Sequence, residues 1–370
     1  MKEKKKGYYI FFGSNSDGVN RKIDMQIKEL SNFFDVTKIQ VPQKHKNFVQ
    51  KIISCLPFAQ KGYLYQKIEQ EIVNPDFIYL RRMTADKAYV TFFANIRSKY
   101  PKCKILIEIP SYPYFRDSYF HNFKHLFRSF PDLIKDLIYT KLLKKSVDRI
   151  VTFSEDDEIY GIPTIKSMNG IDVQNVQIVQ SVKNDNQINM ISVAMVAPHH
   201  GYERIIEGLH NYYSRGGNEN LVYHCVGHGS EIEYYKDLTR KYHLESHVIF
   251  YGKKSGSELD EIYSKMHLGM DCFGLYKDKR YYVSSIKARE YLAKGLPVIT
   301  GVRSDVFERY PTDYYLEFPN DKSPLDMNQI IKFCNKMYEE RNIHKNIREY
   351  AKKTVDNSVV MKEIVEFISM

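Results

Sequence analysis

The chain alternates short apolar runs with amphipathic helical patterns along most of its 370 residues. This alternation is typical of parallel sheets covered by helices, because a parallel strand needs a crossover to reach its neighbour. In the first half, the predicted strands are Tyr8–Phe12, Phe77–Leu80, Ile105–Glu108 and Arg149–Phe153. In the second half, they are Asn189–Ala194, Leu221–Val226, His247–Tyr251, Leu268–Cys272 and Pro297–Thr300. The predicted fold class is therefore α/β.

Helical patterns occupy the intervals between these runs. In the first half they cover Asn20–Phe34, Ala85–Tyr100 and Phe130–Lys145. In the second half they cover Glu203–Tyr213, Ser230–Tyr242, Glu258–Met266 and Ile286–Lys294. The segment 174–187 is polar and without periodicity, so we interpret it as a linker between two Rossmann-like domains.

The predicted domains are residues 1–175 and residues 188–355. A last helical pattern runs from Asn328 to Met370 and is interrupted near Asp356. We expect its final part, about 356–370, to pack back on the first domain. Two parallel sheets that face each other leave a cleft at the carboxyl ends of their strands, where ligands of open α/β sheets bind.

The net charge of +10 indicates an anionic partner. No acidic residue occurs between Val36 and Ile68. Within that stretch, residues 44–56 place apolar side chains along one helical face and basic ones beside it. This pattern fits a helix on an anionic membrane surface and equally a helix packed in the core. No RNA-binding or zinc-finger signature is present, so nucleic acid is not an expected partner.

The five cysteines are scattered, with no C-x-x-C pair, and the histidines show no metal-ligand spacing. No apolar run approaches the length of about 18 residues that a membrane span needs. We therefore expect a cytoplasmic protein, peripheral at most on the inner face of the cell membrane, without a metal site and without a cofactor.

The segment Ser284–Thr300 carries the most specific chemical pattern. Ser285 is a good N-cap for the helix Ile286–Lys294, and Gly295 suits a left-handed C-cap. Lys287 and Glu290 share one face near the N-terminus, where free N–H groups favour a phosphate. A nucleotide diphosphate fits this arrangement, with its ribose on Glu290. An ordinary surface helix with a solvated Lys–Glu pair fits the spacing too.

Glycine-containing turns follow two strands of the second half. His200 and Gly201 open the helix that carries Arg204, which makes a plausible phosphate loop. Gly227 and Gly229 follow the next strand, but the third glycine of a dinucleotide fingerprint is replaced by Ile232. Nicotinamide binding is therefore disfavoured.

The first half offers candidate side chains at strand ends. Arg81 follows the strand Phe77–Leu80, and Tyr112 and Tyr114 offer flat ring faces for a sugar. Asp117 lies close behind and could accept a proton from an acceptor hydroxyl. A solvated arginine and a surface-loop aspartate are the alternatives at the charged positions.

The segments 199–209, 227–270 and 284–301 resemble GT-B glycosyltransferases of the retaining family 4, in particular bacterial polysaccharide transferases. The resemblance rests on HGYERIIEGL, GHG, SSIKAREYLAKGLPVIT and, earlier, IPSYPY and SMNGID. Three positions depart from the family pattern. Met195 and His200 stand where most members have Arg and Lys. Tyr282 also replaces a second Glu. The missing Asp-x-Asp motif points away from the metal-dependent GT-A class.

The resemblance implies roles for the candidate residues. Arg204 and Lys287 would stabilise the leaving diphosphate, and Glu290 would bind the ribose. The remaining donor-side positions are Ser285, Ile286, His200, Gly201, Gly227 and Gly229. The loop with Gly18 and Arg21 resembles the one where acceptor and transferred sugar meet.

The implied activity is that of a hexosyltransferase-type glycosyltransferase. It would move a sugar from a nucleotide-diphosphate sugar, UDP-linked, to a growing capsular or exopolysaccharide chain or a lipid-linked glycan. The implied transfer is retaining and metal-independent. Two alternatives stay open, namely a nucleotide-sugar epimerase with the same fold and a non-catalytic partner subunit that binds nucleotide sugar or glycan.

Overall fold

The structure is a computed structural model that describes residues 4–12, 17–41, 62–113, 123–181, 183 and 187–370. The predicted amphipathic segment 44–56 lies outside these residues, as do Tyr114 and Asp117. The chain divides into two compact units. The first comprises residues 1–168 and 360–370, and the second comprises residues 169–359.

The first unit is built on a seven-stranded sheet in the order β2-β1-β3-β4-β5-β7-β6. All neighbours are parallel except β6, which runs antiparallel to β7. The strands are β1 (Lys6–Phe12), β2 (Asp35–Val41), β3 (Phe77–Arg81), β4 (Lys104–Ile109), β5 (Arg149–Thr152), β6 (Glu158–Ile159) and β7 (Ile162–Lys166).

Helices cover this sheet, as the parallel pairing requires. They are α1 (Asp17–Phe33), α2 (Gly62–Glu71), α3 (Lys87–Lys99) and α4 (Phe123–Tyr139), which continues into a 3₁₀ turn at Thr140–Lys145. Strand residues such as Tyr9, Ile78 and Leu106 are fully buried. Continuous apolar runs are expected here because helices cover a parallel sheet on both faces.

The second unit holds a six-stranded, all-parallel sheet in the order β10-β9-β8-β11-β13-β15. Its strands are β8 (Ile188–Val196), β9 (Leu221–Gly229), β10 (Val248–Gly252), β11 (Leu268–Met270), β13 (Val298–Thr300) and β15 (Tyr315–Glu317). Two short strands, β12 (Tyr282–Val283) and β14 (Arg303–Ser304), form a separate pair.

The helices of the second unit are α5 (Glu203–Ser214), α6 (Ile232–Lys241), α7 (Gly256–Tyr263), α8 (Ile286–Lys294), α9 (Asp305–Arg309), α10 (Met327–Tyr338), α11 (Ile343–Thr354) and α12 (Asn357–Val360). The last helix, α13 (Lys362–Ser369), belongs to the first unit. Ile364 and Ile368 of this helix pack into the core around Tyr9 and Phe77, as does Met361 just before it. The predicted α/β class with parallel sheets is confirmed.

The polar segment that we interpreted as a linker between the domains belongs to the second unit. Residues 173–181 bind the second unit: Arg348 donates to the carbonyls of Val173 and Val176, and the Val179 N–H donates to the Lys294 carbonyl at 2.9 Å. The division between the units falls at 168/169 instead. Side chains contribute as well, since Val173 and Val179 are buried and Ser181 Oγ donates to the Met266 carbonyl at 2.6 Å.

Within the described residues, no helix combines the length and the apolar character that crossing a membrane requires.

Candidate functional site

The N-terminus of α8 has the predicted cap. Ser285 has an extended backbone, and its Oγ accepts a hydrogen bond from the Ala288 N–H at 3.4 Å. Gly295 ends the helix with a φ of 80°. The helix bounds Ile286–Lys294 match the prediction, because cap residues and a following proline leave the chain little choice.

A buried carboxylate lies beneath this helix tip. Asp271 directly follows β11 and is fully buried. Its Oδ1 accepts a hydrogen bond from Ser285 Oγ at 2.6 Å and lies 3.5 Å from Lys287 Nζ. The Lys287 ammonium also donates to the Asp271 carbonyl at 3.2 Å. Asp271 therefore fixes both the cap residue and the cation that the sequence singled out.

These contacts keep Lys287 charged. Burial acts to lower the pKa of Lys287, but the charge and hydrogen bond of Asp271, together with the nearby Cys272 and Tyr291, hold that pKa above its usual value. The Lys287 side chain is 20% exposed. It thus stands as a fixed positive charge at a helix N-terminus, which is an arrangement suited to an anion.

The loop after β8 brings two imidazoles to the same place. The His200 Nδ1 accepts a hydrogen bond from the Ala197 N–H at 3.0 Å, which leaves the proton of a neutral ring on Nε2. Burial, and then the Lys287 charge, lower the pKa of His200 to about 2. The same two causes lower the pKa of His199. Both rings are therefore neutral at neutral pH and able to donate one hydrogen bond each.

Gly201 allows this loop to approach the segment after β11. Its φ is 64°, and a Cβ on it would lie 2.4 Å from the Gly274 nitrogen. The Phe273 N–H donates to the His200 carbonyl at 2.7 Å, and the Gly274 N–H donates to the His199 carbonyl. Only glycine permits both the left-handed backbone and the contact.

Glu290 lies one turn into α8 and is half-buried. It follows Lys287 by three positions, so the two side chains project from adjacent parts of the helix surface. Ile286 is the first residue of the helix, and its backbone belongs to the first turn. The predicted donor-side residues Ser285, Ile286, Lys287 and Glu290 are therefore together in one element.

Arg204 has a different environment from the predicted one. Its side chain is buried, and its guanidinium donates to the carbonyls of Phe273 at 2.8 Å, Pro319 at 3.0 Å and Ser323 at 2.5 Å. Asp321 lies 3.5 Å away. Arg204 thus ties two segments together, and its nitrogens are occupied by protein oxygens. The structure does not present it to a diphosphate.

Gly227 and Gly229 belong to β9 rather than to a loop after it. They pair with Ala194 and Val196 of β8. A Cβ on Gly227 would lie 1.8 Å from the Ala194 carbonyl oxygen, and the clash at Gly229 is similar. Close packing of two strands therefore accounts for both glycines, without a ligand.

Met195 and Tyr282, which depart from the family pattern, are uncharged, so any replacement cation must come from another residue nearby. Met195, on β8, is 70% exposed. Tyr282 lies in the short strand β12 and is half-buried. Lys277 approaches the site from a neighbouring turn, but it donates to the Glu203 carboxylate at 2.5 Å and to the Pro198 carbonyl at 3.0 Å. Its charge is thereby largely balanced.

In the first unit, Arg81 joins a buried polar cluster at the carboxyl ends of β3 and β4. Glu108 is fully buried and accepts hydrogen bonds from Lys22 at 2.8 Å, Gln26 at 3.0 Å and Tyr79 at 2.6 Å. Arg81 Nε lies 3.7 Å from the same carboxylate. Burial acts to raise the pKa of Glu108, but Lys22 and Arg81 hold it at about 2.

The other acceptor-side candidates are less clustered. Gly18 and Arg21 lie in the first turns of α1, and both are exposed. Tyr112 is half-buried, and its ring centroid lies 6.3 Å from that of Tyr160. Arg82 turns away from Arg81 and pairs with Asp136. Of the two arginines at the end of β3, only Arg81 belongs to the Glu108 cluster.

Within the part of the chain that the structure describes, no group of three or more His, Cys, Asp or Glu side chains could hold a metal ion.

Residues 173–354 match the family model described as glycosyl transferases group 1, and this range lies within the second unit. Among solved structures, HepE from Anabaena in complex with UDP is 14% identical, with a TM-score of 0.64 over 98% of this chain and 99% of that chain. WaaG, a glycosyltransferase involved in lipopolysaccharide biosynthesis, is 12% identical, with a TM-score of 0.61 over 98% and 99%. A glycosyltransferase from Rickettsia africae ESF-5 is 15% identical, with a TM-score of 0.61 over 99% and 98%. No protein with a curated description matches the sequence.

The protein is a glycosyltransferase with the GT-B fold. The fold that the sequence resemblance implied is confirmed. The donor-side cluster at α8 lies in the range that matches the family, whereas the Glu108 cluster lies outside it. The finer assignment to a capsular or exopolysaccharide subtype belongs to the proposal below.

Sequence reasoning missed three charged residues of this glycosyltransferase. Asp271 fixes Lys287, and the buried pair of Arg289 and Asp305, 2.7 Å apart, anchors the opposite face of α8. Arg289 also donates to the Ser285 carbonyl at 2.7 Å. The available signal was position: Asp271 follows an apolar strand directly, and a carboxylate there is expected at the ligand-binding edge of a parallel sheet.

Proposed function

We propose that the protein transfers a sugar from a nucleotide-diphosphate sugar, UDP-linked, to a growing bacterial surface polysaccharide, such as a capsule or exopolysaccharide, or to a lipid-linked glycan. One observation carries the proposal: a charged Lys287, held by Asp271 at the N-terminus of α8, stands within the family-matched range. The structure of HepE contains UDP, which supports the choice of nucleotide.

The donor would bind with its diphosphate at the tip of α8. The N–H groups of the first turn, the Lys287 ammonium and the neutral His200 ring are three donors of hydrogen bonds to phosphate oxygens. Glu290, one turn further, would accept hydrogen bonds from the ribose hydroxyls. No metal is required in this scheme, because the cation and the helix N-terminus balance part of the diphosphate charge.

Catalysis would depend on the charge that develops on the leaving diphosphate. Lys287 and the helix N-terminus are fixed before the reaction, so they stabilise that charge without reorganisation. Arg204 acts in this proposal as a positioning residue, because it holds the Phe273 carbonyl beside the loop that carries His200. Retention of anomeric configuration is proposed on the family resemblance alone.

The acceptor would use the first unit. Arg81 and Tyr112, near the carboxyl end of the sheet, and Gly18 and Arg21, at the start of α1, are proposed to contact it. Asp117 and Tyr114 remain part of the proposal, although they lie outside the described residues. A cytoplasmic location is also proposed, with the free, buried Cys103, Cys225, Cys272 and Cys334 in support.

The test is a screen of nucleotide sugars with the purified full-length protein. Thermal stabilisation reports donor binding, and released nucleotide reports turnover. Stabilisation by one UDP-sugar, followed by nucleotide release that a glycan acceptor accelerates, supports the proposal. Isomerised donor without release points to the epimerase alternative, and binding without turnover with any acceptor points to the non-catalytic alternative.

A further inference from the structure

Exposed apolar side chains of the described residues concentrate on one helix of the first unit. Phe130 is 52% exposed, Leu137 48%, Ile138 56% and Leu142 41%. The first three lie on α4. Phe130 and Leu137 are seven residues apart and share one face, and Ile138 widens this face by about 100° around the helix. Leu142 continues this side into the 3₁₀ turn that follows.

The opposite side of α4 is fixed to the unit. Leu133 is buried in the core, and the Asp136 carboxylate accepts a hydrogen bond from the Ala85 N–H at 2.7 Å. The same carboxylate pairs with Arg82. Because Leu133 and Asp136 hold the opposite side of α4 against the unit, Leu137 and Ile138 face away from the core. Folding alone gains nothing from apolar residues at these positions.

Basic residues border the exposed side chains. Lys141 and Lys145 are exposed in the turn after α4. Lys144 is exposed as well, but it lies against the hairpin between β6 and β7, which carries Glu158. Between Phe123 and Lys145, the sequence has six Lys and Arg residues and two Asp residues. Both Asp side chains are already paired, with Lys135 and Arg82.

We propose that Phe130, Leu137, Ile138 and Leu142, with Lys141 and Lys145, form a docking surface for a membrane that contains anionic lipid. A helix with an apolar side and basic flanks lies in the plane of such an interface, with its apolar side among the acyl chains. Lysines near the surface add attraction to the anionic headgroups. This docking surface shares no residue with the proposed donor site, and the proposal does not depend on the nature of the sugar.

Charge and area favour a lipid over a protein occupant. A second copy would bring a second set of Lys141 and Lys145 to an interface whose six residues include no acidic side chain to pair with them, which opposes association. Four apolar side chains are also few for a stable protein interface, which needs about 800 Å² from each partner. A lipid surface has no such minimum and offers the opposite charge.

The test is flotation of the full-length protein with vesicles of phosphatidylcholine alone and with about one third phosphatidylglycerol. We expect binding to the anionic vesicles only, and weaker binding as salt is raised. Leu137→Glu and Ile138→Glu should each reduce the bound fraction at least about ten-fold, and Lys141→Ala with Lys145→Ala about five-fold or more. Val73→Glu, at a 52% exposed position on the same unit, is the matched control and should bind like wild type.

Several outcomes would overturn the proposal. These are equal binding to both vesicle types, no binding, or equal loss in Leu137→Glu and Val73→Glu. A shift of wild type to dimers without lipid, reversed by Ile138→Glu, would assign the surface to a second copy instead. UDP binding by each variant, measured by thermal stabilisation, separates this test from that of the proposed function, because it should stay at the wild-type value.

Discussion

At the scale of single residues, the proposed donor site depends on which groups carry charge. Lys287 is charged and paired with Asp271, whereas His200 is neutral although it lies in a predicted phosphate loop. The sequence pointed to both residues, but only their burial and neighbours decide these states. The ammonium and the neutral ring therefore make different contributions, the first to charge and the second to hydrogen bonding.

We expect Glu290→Ala to weaken UDP binding about ten-fold or more, because each hydrogen bond from a ribose hydroxyl to a carboxylate contributes roughly 1.5–3 kcal/mol. Calorimetry measures this affinity. Glu349→Ala is the matched control, since Glu349 and Lys352 form an ordinary exposed pair on α11. If Glu290→Ala binds UDP as tightly as Glu349→Ala does, the ribose assignment is wrong.

Lys287→Ala should lower the turnover rate more than it weakens ground-state binding of the donor, because the diphosphate gains charge as it leaves. Nucleotide release measures the rate, and thermal stabilisation measures binding. The variant must keep the wild-type melting temperature for the comparison to hold. Equal losses in rate and binding would contradict a role in the transition state.

The pKa of His200 predicts a pH-dependent stability. The folded protein keeps this ring neutral down to about pH 2, whereas the unfolded chain protonates it near pH 6.5. Below about pH 6.5 the unfolded state therefore binds more protons, and stability falls as pH falls, by up to about 1.4 kcal/mol per pH unit for this group. His200→Gln should show a smaller drop in melting temperature between pH 7 and pH 5. The same drop in both proteins would contradict the assignment.

At the scale of elements, the site is a junction of segments that are distant in sequence. Arg204 binds the Ser323 carbonyl, 119 positions away, and the Phe273 carbonyl, 69 positions away. The sequence predicts α5 and α8 nearly to the residue, because periodicity and caps are local signals. It cannot predict these tertiary partners, so from the sequence alone Arg204 is expected at the ligand.

Strand β2 illustrates the same limit. It is an edge strand with four exposed residues among seven, so it lacks the continuous apolar run by which the central strands were found. The grouping of Ser285, Lys287 and Glu290 at the start of α8 was predictable from the local sequence pattern. The Glu108 cluster, assembled from α1, β3 and β4, was not.

Gly201→Ala should destabilise the second unit and weaken UDP binding, because its Cβ would meet the Gly274 backbone at 2.4 Å. Gly216→Ala is the control: its φ of 84° is also left-handed, but no atom lies within 4 Å of the added Cβ. We expect the control to lose about 1 kcal/mol of unfolding free energy and Gly201→Ala distinctly more. Chemical denaturation followed by circular dichroism compares them, and equal losses would refute the crowding argument.

Arg204→Lys should destabilise the protein by roughly 3 kcal/mol, because a single ammonium cannot satisfy three buried carbonyl oxygens. Denaturant unfolding measures this loss. A variant of wild-type stability whose turnover is nevertheless abolished would instead support direct contact between Arg204 and the diphosphate.

At the scale of the whole molecule, the proposed chemistry uses only groups of the protein. We expect nucleotide release to continue in excess chelator after extensive dialysis, because Lys287 and the α8 N-terminus supply the positive charge. Loss of activity that returns with Mg²⁺ or Mn²⁺ would show that the diphosphate needs a cation from solution.

The first unit is not continuous along the chain. Its core is completed by the helix α13, whereas the strands of that core all precede residue 168. A ribosome makes this helix only after the entire second unit. During synthesis, the side chains of Tyr9 and Phe77 must therefore wait for Ile364 and Ile368 while some 190 residues of another unit emerge and fold. The second unit has no such delay, so it can reach its native state first, and the nascent first unit keeps part of its apolar core uncovered until α13 is made.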